Sequence, residues 1–236
     1  MPMPAILDLV YPRTCSGCSR PLEADRGHLC WECLASLDII VHPFCSKCGD
    51  PVDGMVEGSY VCSWCVRNEP AFDLARSAAR YRGPLVVALQ QFKYDGATCV
   101  GGDLVELLFA CVITHFESAR FDVVAFVPLH PSKERRRTFN QSRLLASGLA
   151  SRLKMPLFAR ALRRVKNTPT QTSLTLRQRQ ENIRKAFEVP APEWVAGRRI
   201  LLVDDIMTTG ATVAECGRVL KEAGAASVHV ATVARG

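Results

Sequence analysis

Residues 198–212 read RRILLVDDIMTTGAT, two arginines, an apolar run, two adjacent aspartates and then a string of small residues. Ile200, Leu201, Leu202 and Val203 are continuous and mostly branched, the composition of a strand buried on both faces of a parallel sheet. The strand is expected to end at Asp204. Thr208, Thr209, Gly210, Ala211 and Thr212 are small enough for backbone N–H groups to converge on one cavity, and residues 211–223 carry a helical pattern. Strand, anion-cradling loop and helix N-terminus together favour a phosphate. Two carboxylates beside a phosphate are unfavourable unless the ligand also offers hydrogen-bond donors. A phosphorylated sugar does so: Asp204 and Asp205 accept from ribose hydroxyls while the loop holds the phosphate.

Outward from this stretch, the 236 residues suffice for one α/β domain plus a small module. The division expected is a module over residues 1–70 and a larger domain over 71–236. The net charge of +7 is divided unevenly. Residues 1–70 hold 5 Lys+Arg against 9 Asp+Glu, whereas residues 133–185 hold 15 basic side chains against Glu134 and Glu181 alone. A solvated face is the plain account of such a run; its place beside the sugar-phosphate grip favours a polyanion. The longest apolar run, 104–114, contains Glu106 and is too short to cross a bilayer, so no membrane insertion is expected. The opening MPMPAILDLVYP has no basic region before its apolar residues, which predicts no secretory signal, a cytoplasmic location and reduced thiols.

Eight of the 11 cysteines form Cys-x-x-Cys pairs: Cys15 and Cys18, Cys30 and Cys33, Cys45 and Cys48, Cys62 and Cys65. Two such turns supply one tetrahedral Cys₄ shell, so four predict two structural Zn²⁺ ions. A disulfide framework conflicts with the cytoplasmic expectation, and a redox pair would occur once rather than four times. Sequential pairing needs only short loops; the spacing also permits a cross-braced arrangement. A segment this poor in aliphatics depends on metal for most of its folding free energy. Thiolate ligands make an already acidic module more so, which argues against its gripping a phosphate backbone and for a docking role. Cys99, Cys111 and Cys216 are expected in the core.

Beyond the cysteines, residues 76–81 and 121–127 are expected as strands, and 84–92 and 104–116 as helices. Thr138 with Gln141 would form a capping box for a helix ending near 153. Arg135, Arg136 and Arg137 would then face the anion site from a helix N-terminus.

VDDIMTTGAT resembles the signature loop of type I phosphoribosyltransferases, which bind 5-phosphoribosyl-1-pyrophosphate (PRPP). The four cysteine pairs, KYDG at 93–96, VPLHPSKERRRTFNQSRLLA at 127–146, LRRVKNTPTQTSLTLRQRQENIRKAF at 162–187 and VAR at 233–235 narrow the likeness to the competence protein F (ComF) family. The resemblance implies a double zinc-ribbon module followed by a type I phosphoribosyltransferase fold, an α/β architecture with a parallel sheet flanked by helices. It implies PRPP bound with Mg²⁺ by Asp204, Asp205 and the 208–212 loop. Pyrophosphate would lie on the loop holding His130 and Lys133, under a polar lid carrying Arg163, Arg164, Lys166 and Gln171. A hydrophilic surface linker is the other account of that polar segment. The family usually has glycine where this chain has Thr138; if the glycine serves a positive φ, threonine there is strained.

Two functions remain open on this reading. One is a binding protein of DNA uptake in natural transformation, holding PRPP and, on the 133–185 surface, single-stranded DNA, with a protein of the competence machinery as partner. Nearby aromatics for stacking are few, Phe139, Phe158 and Phe187, which disfavours sequence-specific recognition. The other is an active phosphoribosyltransferase of nucleotide metabolism. Purine-salvage relatives place an aspartate base where this chain has Thr208, so its acceptor is unidentified.

Overall fold

The computed structural model describes residues 13–22, 27–94, 98–117, 119–166 and 183–236. In chain order these form α1 (Trp31–Ala35), α2 (Ser63–Asn68), β1 (Leu74–Arg80), α3 (Pro84–Tyr94), a 3₁₀ turn (Thr98–Val100), α4 (Gly101–His115) and β2 (Val123–Phe126). There follow α5 (Pro131–Arg137), α6 (Gln141–Leu153), β3 (Arg163–Arg164), β4 (Phe187–Glu188), α7 (Pro192–Val195), β5 (Arg199–Met207), α8 (Ala211–Glu222) and β6 (Ser227–Arg235).

β1, β6, β5 and β2 pair in that order, all parallel. Alternation along β5 sorts its side chains between two cores. Leu201 and Val203 join Leu104, Leu108, Leu145 and Leu149 from α4 and α6. Ile200 and Leu202 join Val213, Cys216 and Leu220 from α8. Burial on both faces is why these strands are apolar throughout. Each outer strand is covered. Residues 38–40 run antiparallel along β1, with Ile40 N–H on Ala78 O at 3.0 Å and Arg80 N–H on Asp38 O at 2.8 Å. On the far side, Phe158 N–H donates to Val124 O at 2.8 Å.

Several expectations are corrected. β5 does not end at Asp204: it continues to Met207, with Asp204 in register with Thr232 and Ile206 with Ala234. The segment after His130 is a helix, α5, so Arg135, Arg136 and Arg137 occupy its last turn rather than an N-terminus. Cys111 and Cys216 are buried, but Cys99 is exposed. Thr98–His115 is long and apolar enough to cross a membrane, yet its Leu104, Leu108 and Val112 lie in the core against the sheet.

The capping box is not formed. Asn140 caps α6, its Oδ1 accepting from Arg143 N–H at 3.2 Å, while its Nδ2 donates to Val127 O at 3.3 Å. Thr138 instead ends α5 in the left-handed region, at φ +67°, where a β-branched residue is strained. Thr138→Gly is expected to raise stability by about 0.5–1 kcal/mol, relief of strain being partly offset by the freer unfolded chain. Urea denaturation checks this; a loss of stability would contradict it.

Candidate functional site

The C-terminal ends of the parallel strands bring the sequence-marked residues together, the usual place for a ligand in an open α/β sheet. Because Asp204 and Asp205 are successive strand residues, their side chains leave opposite faces. Asp204 is buried; its Oδ1 accepts from Ser142 Oγ at 2.7 Å and from Asp205 N–H at 3.0 Å. It also bounds a cavity of about 60 Å³ closed by Ile206, Met207, Thr208, Thr209, Gly210 and Thr212. Asp205 faces α3, with Lys93 Nζ 2.8 Å from its Oδ2. The two make an ion pair with both side chains largely out of solvent.

Burial, and then the Asp205 charge, push the Asp204 carboxyl up to about 7, although Ser142 and the Asp205 amide oppose the rise. The folded chain thus holds a proton that the unfolded chain releases. Stability from this group is full at acid pH and falls as pH rises from about 4 to about 7. Burial alone would lower Lys93; the carboxylates of Asp205 and Asp204 outweigh it and hold the ammonium above its ordinary value.

Lys133 belongs to a cluster of cations, of which Arg164 is close enough to Asp204 to feel its charge. Burial depresses Lys133, and the guanidiniums of Arg164, Arg137 and Arg136 depress it further. Arg164 is buried and over the Phe187 ring at 5.3 Å; burial lowers it while Cys216 and Asp204 pull the other way. Crowded, partly desolvated cations are an arrangement that an anion relieves. Not every expected residue joins them. Arg163, next in β3, turns outward, its Nε on Glu188 Oε1 at 2.5 Å. Lys166 is exposed and donates to Arg184 O at 2.9 Å. Gln171 and residues 167–182, where most of the expected lid falls, lie outside the described residues. His130 caps α5, its Nδ1 accepting from Ser132 N–H at 3.3 Å and lying 2.8 Å from Ser132 Oγ.

In the 208–212 loop, Gly210 takes φ +76° as the residue before α8. The positive φ is what requires glycine; a Cβ there would stand 3.3 Å from Trp64 Cη2 and 2.8 Å from the flexible Met207 Cε, which can move aside. Thr209 Oγ1 accepts from Ala211 N–H at 3.4 Å. Thr208 is exposed at the rim, and Thr212 is half-buried.

The cysteines form two sequential tetrads, Cys15, Cys18, Cys30, Cys33 and Cys45, Cys48, Cys62, Cys65, all sulfurs of each within 4.8 Å of one another. Cys18 and Cys30 are 3.7 Å apart, Cys48 and Cys62 3.7 Å, Cys45 and Cys65 3.9 Å. Four sulfurs at 2.3 Å around a tetrahedral Zn²⁺ would be spaced about 3.8 Å, so both sets fit zinc. Burial and the other sulfurs drive the Cys33 thiol strongly up, as expected of a set that ionises together only around a cation. His28 and His42 are not in either set. The ribbons also brace the site. Trp64, inside the second tetrad's sequence, packs on Gly210. Asp50, two residues after Cys48, holds Arg235 Nε at 2.9 Å, and Arg235 donates onward to the carbonyls of Met207, at 3.1 Å, and Thr208.

The chain matches the double zinc ribbon domain over residues 6–66 and the phosphoribosyl transferase domain over residues 140–236. It is 32% identical over 225 residues to the DNA utilization protein YhgH of Salmonella typhimurium, covering 94% of this chain and 96% of the relative. The chain belongs to the ComF (competence protein F) family. Competence protein F of Haemophilus influenzae is 28% identical over the same shares, and competence protein ComFC of Bacillus subtilis 28% identical over 88% of this chain and 84% of that protein. Among solved structures, a glutamine PRPP amidotransferase from B. subtilis superposes with TM-score 0.38 at 23% identity, covering 56% of this chain and 25% of that one. An adenine phosphoribosyltransferase from Thermoanaerobacter pseudethanolicus gives 0.35 at 15%, over 64% and 86%.

Four side chains of this ComF site escaped the reading of the sequence: Lys93, Asn140, Ser142 and Arg235. All lie inside stretches that carried the family likeness, KYDG, TFNQS and VAR. Their partners, Asp205, Val127 O, Asp204 and Asp50, are distant in sequence, and only the fold pairs them.

Proposed function

We propose that this chain binds PRPP with Mg²⁺ at the C-terminal ends of its sheet and handles single-stranded DNA during natural transformation, in the cytoplasm. The observation that carries the PRPP reading is the crowding of Lys133 with Arg164, Arg137 and Arg136, with Arg164 in the field of the Asp204 carboxyl and Asp204 lining the cavity of the 208–212 loop. An acidic group for ribose hydroxyls and a crowded cationic cluster for pyrophosphate are what a phosphorylated, pyrophosphorylated pentose requires. In this arrangement the 208–212 amides and threonine hydroxyls hold the 5-phosphate, Asp204 accepts from the ribose, and Asp205 shares its carboxylate between Lys93 and the sugar. Lys133 and Arg164 take the pyrophosphate, with the His130 ring as a donor and Arg163 and Lys166 recruited from the exposed rim. Mg²⁺ supplies charge neutralisation of the pyrophosphate oxygens.

The DNA part is supported by the names of the relatives, competence protein F and DNA utilization protein, and by the concentration of positive charge in residues 133–185. A protein of the competence machinery fits the acidic ribbons as partner. Whether the bound PRPP is also consumed turns on an acceptor; Thr208 offers no base for a purine.

Calorimetry tests the site. The unaltered protein with Mg²⁺ is expected to bind PRPP saturably. Asp204→Asn combined with Asp205→Asn should abolish the heat; because Asp205→Asn leaves the Lys93 ammonium without its counter-charge, circular dichroism is used to confirm that the double variant is folded, and Asp204→Asn alone, which keeps that pair, should lose most of the heat. Unchanged affinity would refute the grip. Pyrophosphate release screened over nucleobases and ammonia then separates transferase from binder.

A further inference from the structure

At the opposite, N-terminal end of the sheet lies a second cleft, of about 210 Å³, walled by Pro156, Leu157, Phe158, Trp194 and Arg198 with Asp122 at its floor. With about 30 Å³ per water in the liquid, that space suits one flat heteroaromatic ring rather than a folded peptide segment. Trp194 keeps 63% of its surface exposed, and its ring centroid is 6.1 Å from that of Phe158. A tryptophan left so open beside a second ring is not there for the core.

The charges around it point one way. Asp122 is spent: Arg199 holds its Oδ1 at 2.6 Å and its Oδ2 at 3.1 Å. Arg198, in the wall, and Arg120, Lys154 and Arg160, within four residues of it, are exposed and make no ion pair among the described residues. Glu193 is the acidic neighbour that opposes them. Guanidiniums round an open aromatic slot are the combination by which single-stranded nucleic acid is held without regard to sequence, bases stacking and phosphates lying on the cations.

From this juxtaposition we infer that the Phe158–Trp194 cleft takes an unstacked base of single-stranded DNA, at a site separate from the PRPP pocket. The inference rests on the DNA-handling reading above and gives it a location. β5 runs nine residues between the two ends, roughly 30 Å at the rise of a parallel strand, so PRPP and the strand do not exclude one another.

The test is fluorescence titration of the full zinc-loaded protein with an oligothymidylate, alongside an abasic oligomer of equal length. The unaltered protein should show tryptophan quenching and bind the oligothymidylate more tightly than the abasic strand; saturating PRPP with Mg²⁺ should leave that affinity unchanged. Trp194→Ala should lose the quenching, weaken binding about tenfold and erase the preference for bases; Trp194→Phe should restore most of the affinity. PRPP binding by both variants should match the unaltered protein. Native oligomer affinity in Trp194→Ala would overturn the cleft and leave DNA handling standing. Equal affinity of the unaltered protein for both strands would also overturn it. Failure of the unaltered protein to bind any oligomer would bring down both, and the cleft would then be a protein-docking surface.

Discussion

Stripping the metal with a strong chelator under reducing conditions is expected to unfold the ribbons and to loosen the larger domain with them. Structural zinc in small modules contributes on the order of 10 kcal/mol per site, as much as the 5–15 kcal/mol that holds a whole domain. The ribbons cannot fall away alone. Cys15 and Cys33 share a core with Leu85 and Ala88 of α3; Cys45, Cys48, Cys62 and Cys65 share the other with Phe72 and Val213. Asp103, in the first turn of α4, accepts from the His28 and Leu29 amides at 2.6 and 2.7 Å, so the first tetrad also holds a core helix. The second reaches the 208–212 loop through Asp50, Arg235 and Trp64. Near-ultraviolet circular dichroism should collapse before the helical signal does, the melting transition should broaden, and added Zn²⁺ should restore both. A metal-free chain melting cooperatively at the holo temperature would show the ribbons to be decoration.

Legibility in the sequence followed the range of the interactions. The β5 strand, the loop after it and α8 were evident because an apolar run, small residues and a helical pattern are local facts. The cysteine tetrads were evident because ligand spacing is local too, whereas the choice of sequential over cross-braced pairing was not, since spacing permits both. β6 passed unmarked apart from its final VAR, although it is the strand between β1 and β5. SVHVATVAR mixes polar and apolar residues, and what makes it central is pairing on both sides. Thr138 shows the same limit. Its side chain and its distance from Gln141 satisfy a capping box, but Asn140 caps α6 because it can also reach Val127 O. That reach leaves threonine in the left-handed turn where relatives of the family usually have glycine. The outward turn of Arg163 and inward turn of Arg164 is a question of strand register, which a two-residue strand does not announce.

Lys93→Met is expected to cost about 3–5 kcal/mol at neutral pH, the penalty for leaving a buried charge without its partner. The magnitude depends on burial: the side chains of Lys93 and Asp205 are 17% and 6% exposed, unlike surface pairs such as Arg152 and Glu106, at 51% and 57%, which contribute under about 1 kcal/mol. Asp205→Asn in the same chain should recover most of the stability, because the orphaned carboxylate is gone; that coupling identifies the pair as the cause. Denaturant titrations of both variants at pH 7 measure it. A loss of less than about 1 kcal/mol from Lys93→Met would place the pair among the solvent-screened ones. The same variant bears on the ligand. Lys93 fixes the Asp205 carboxylate against α3, so where the protein stays folded its PRPP affinity should fall with the stability. The ion pair would then be the means by which a helix over 100 residues upstream of β5 sets the orientation of the sugar grip.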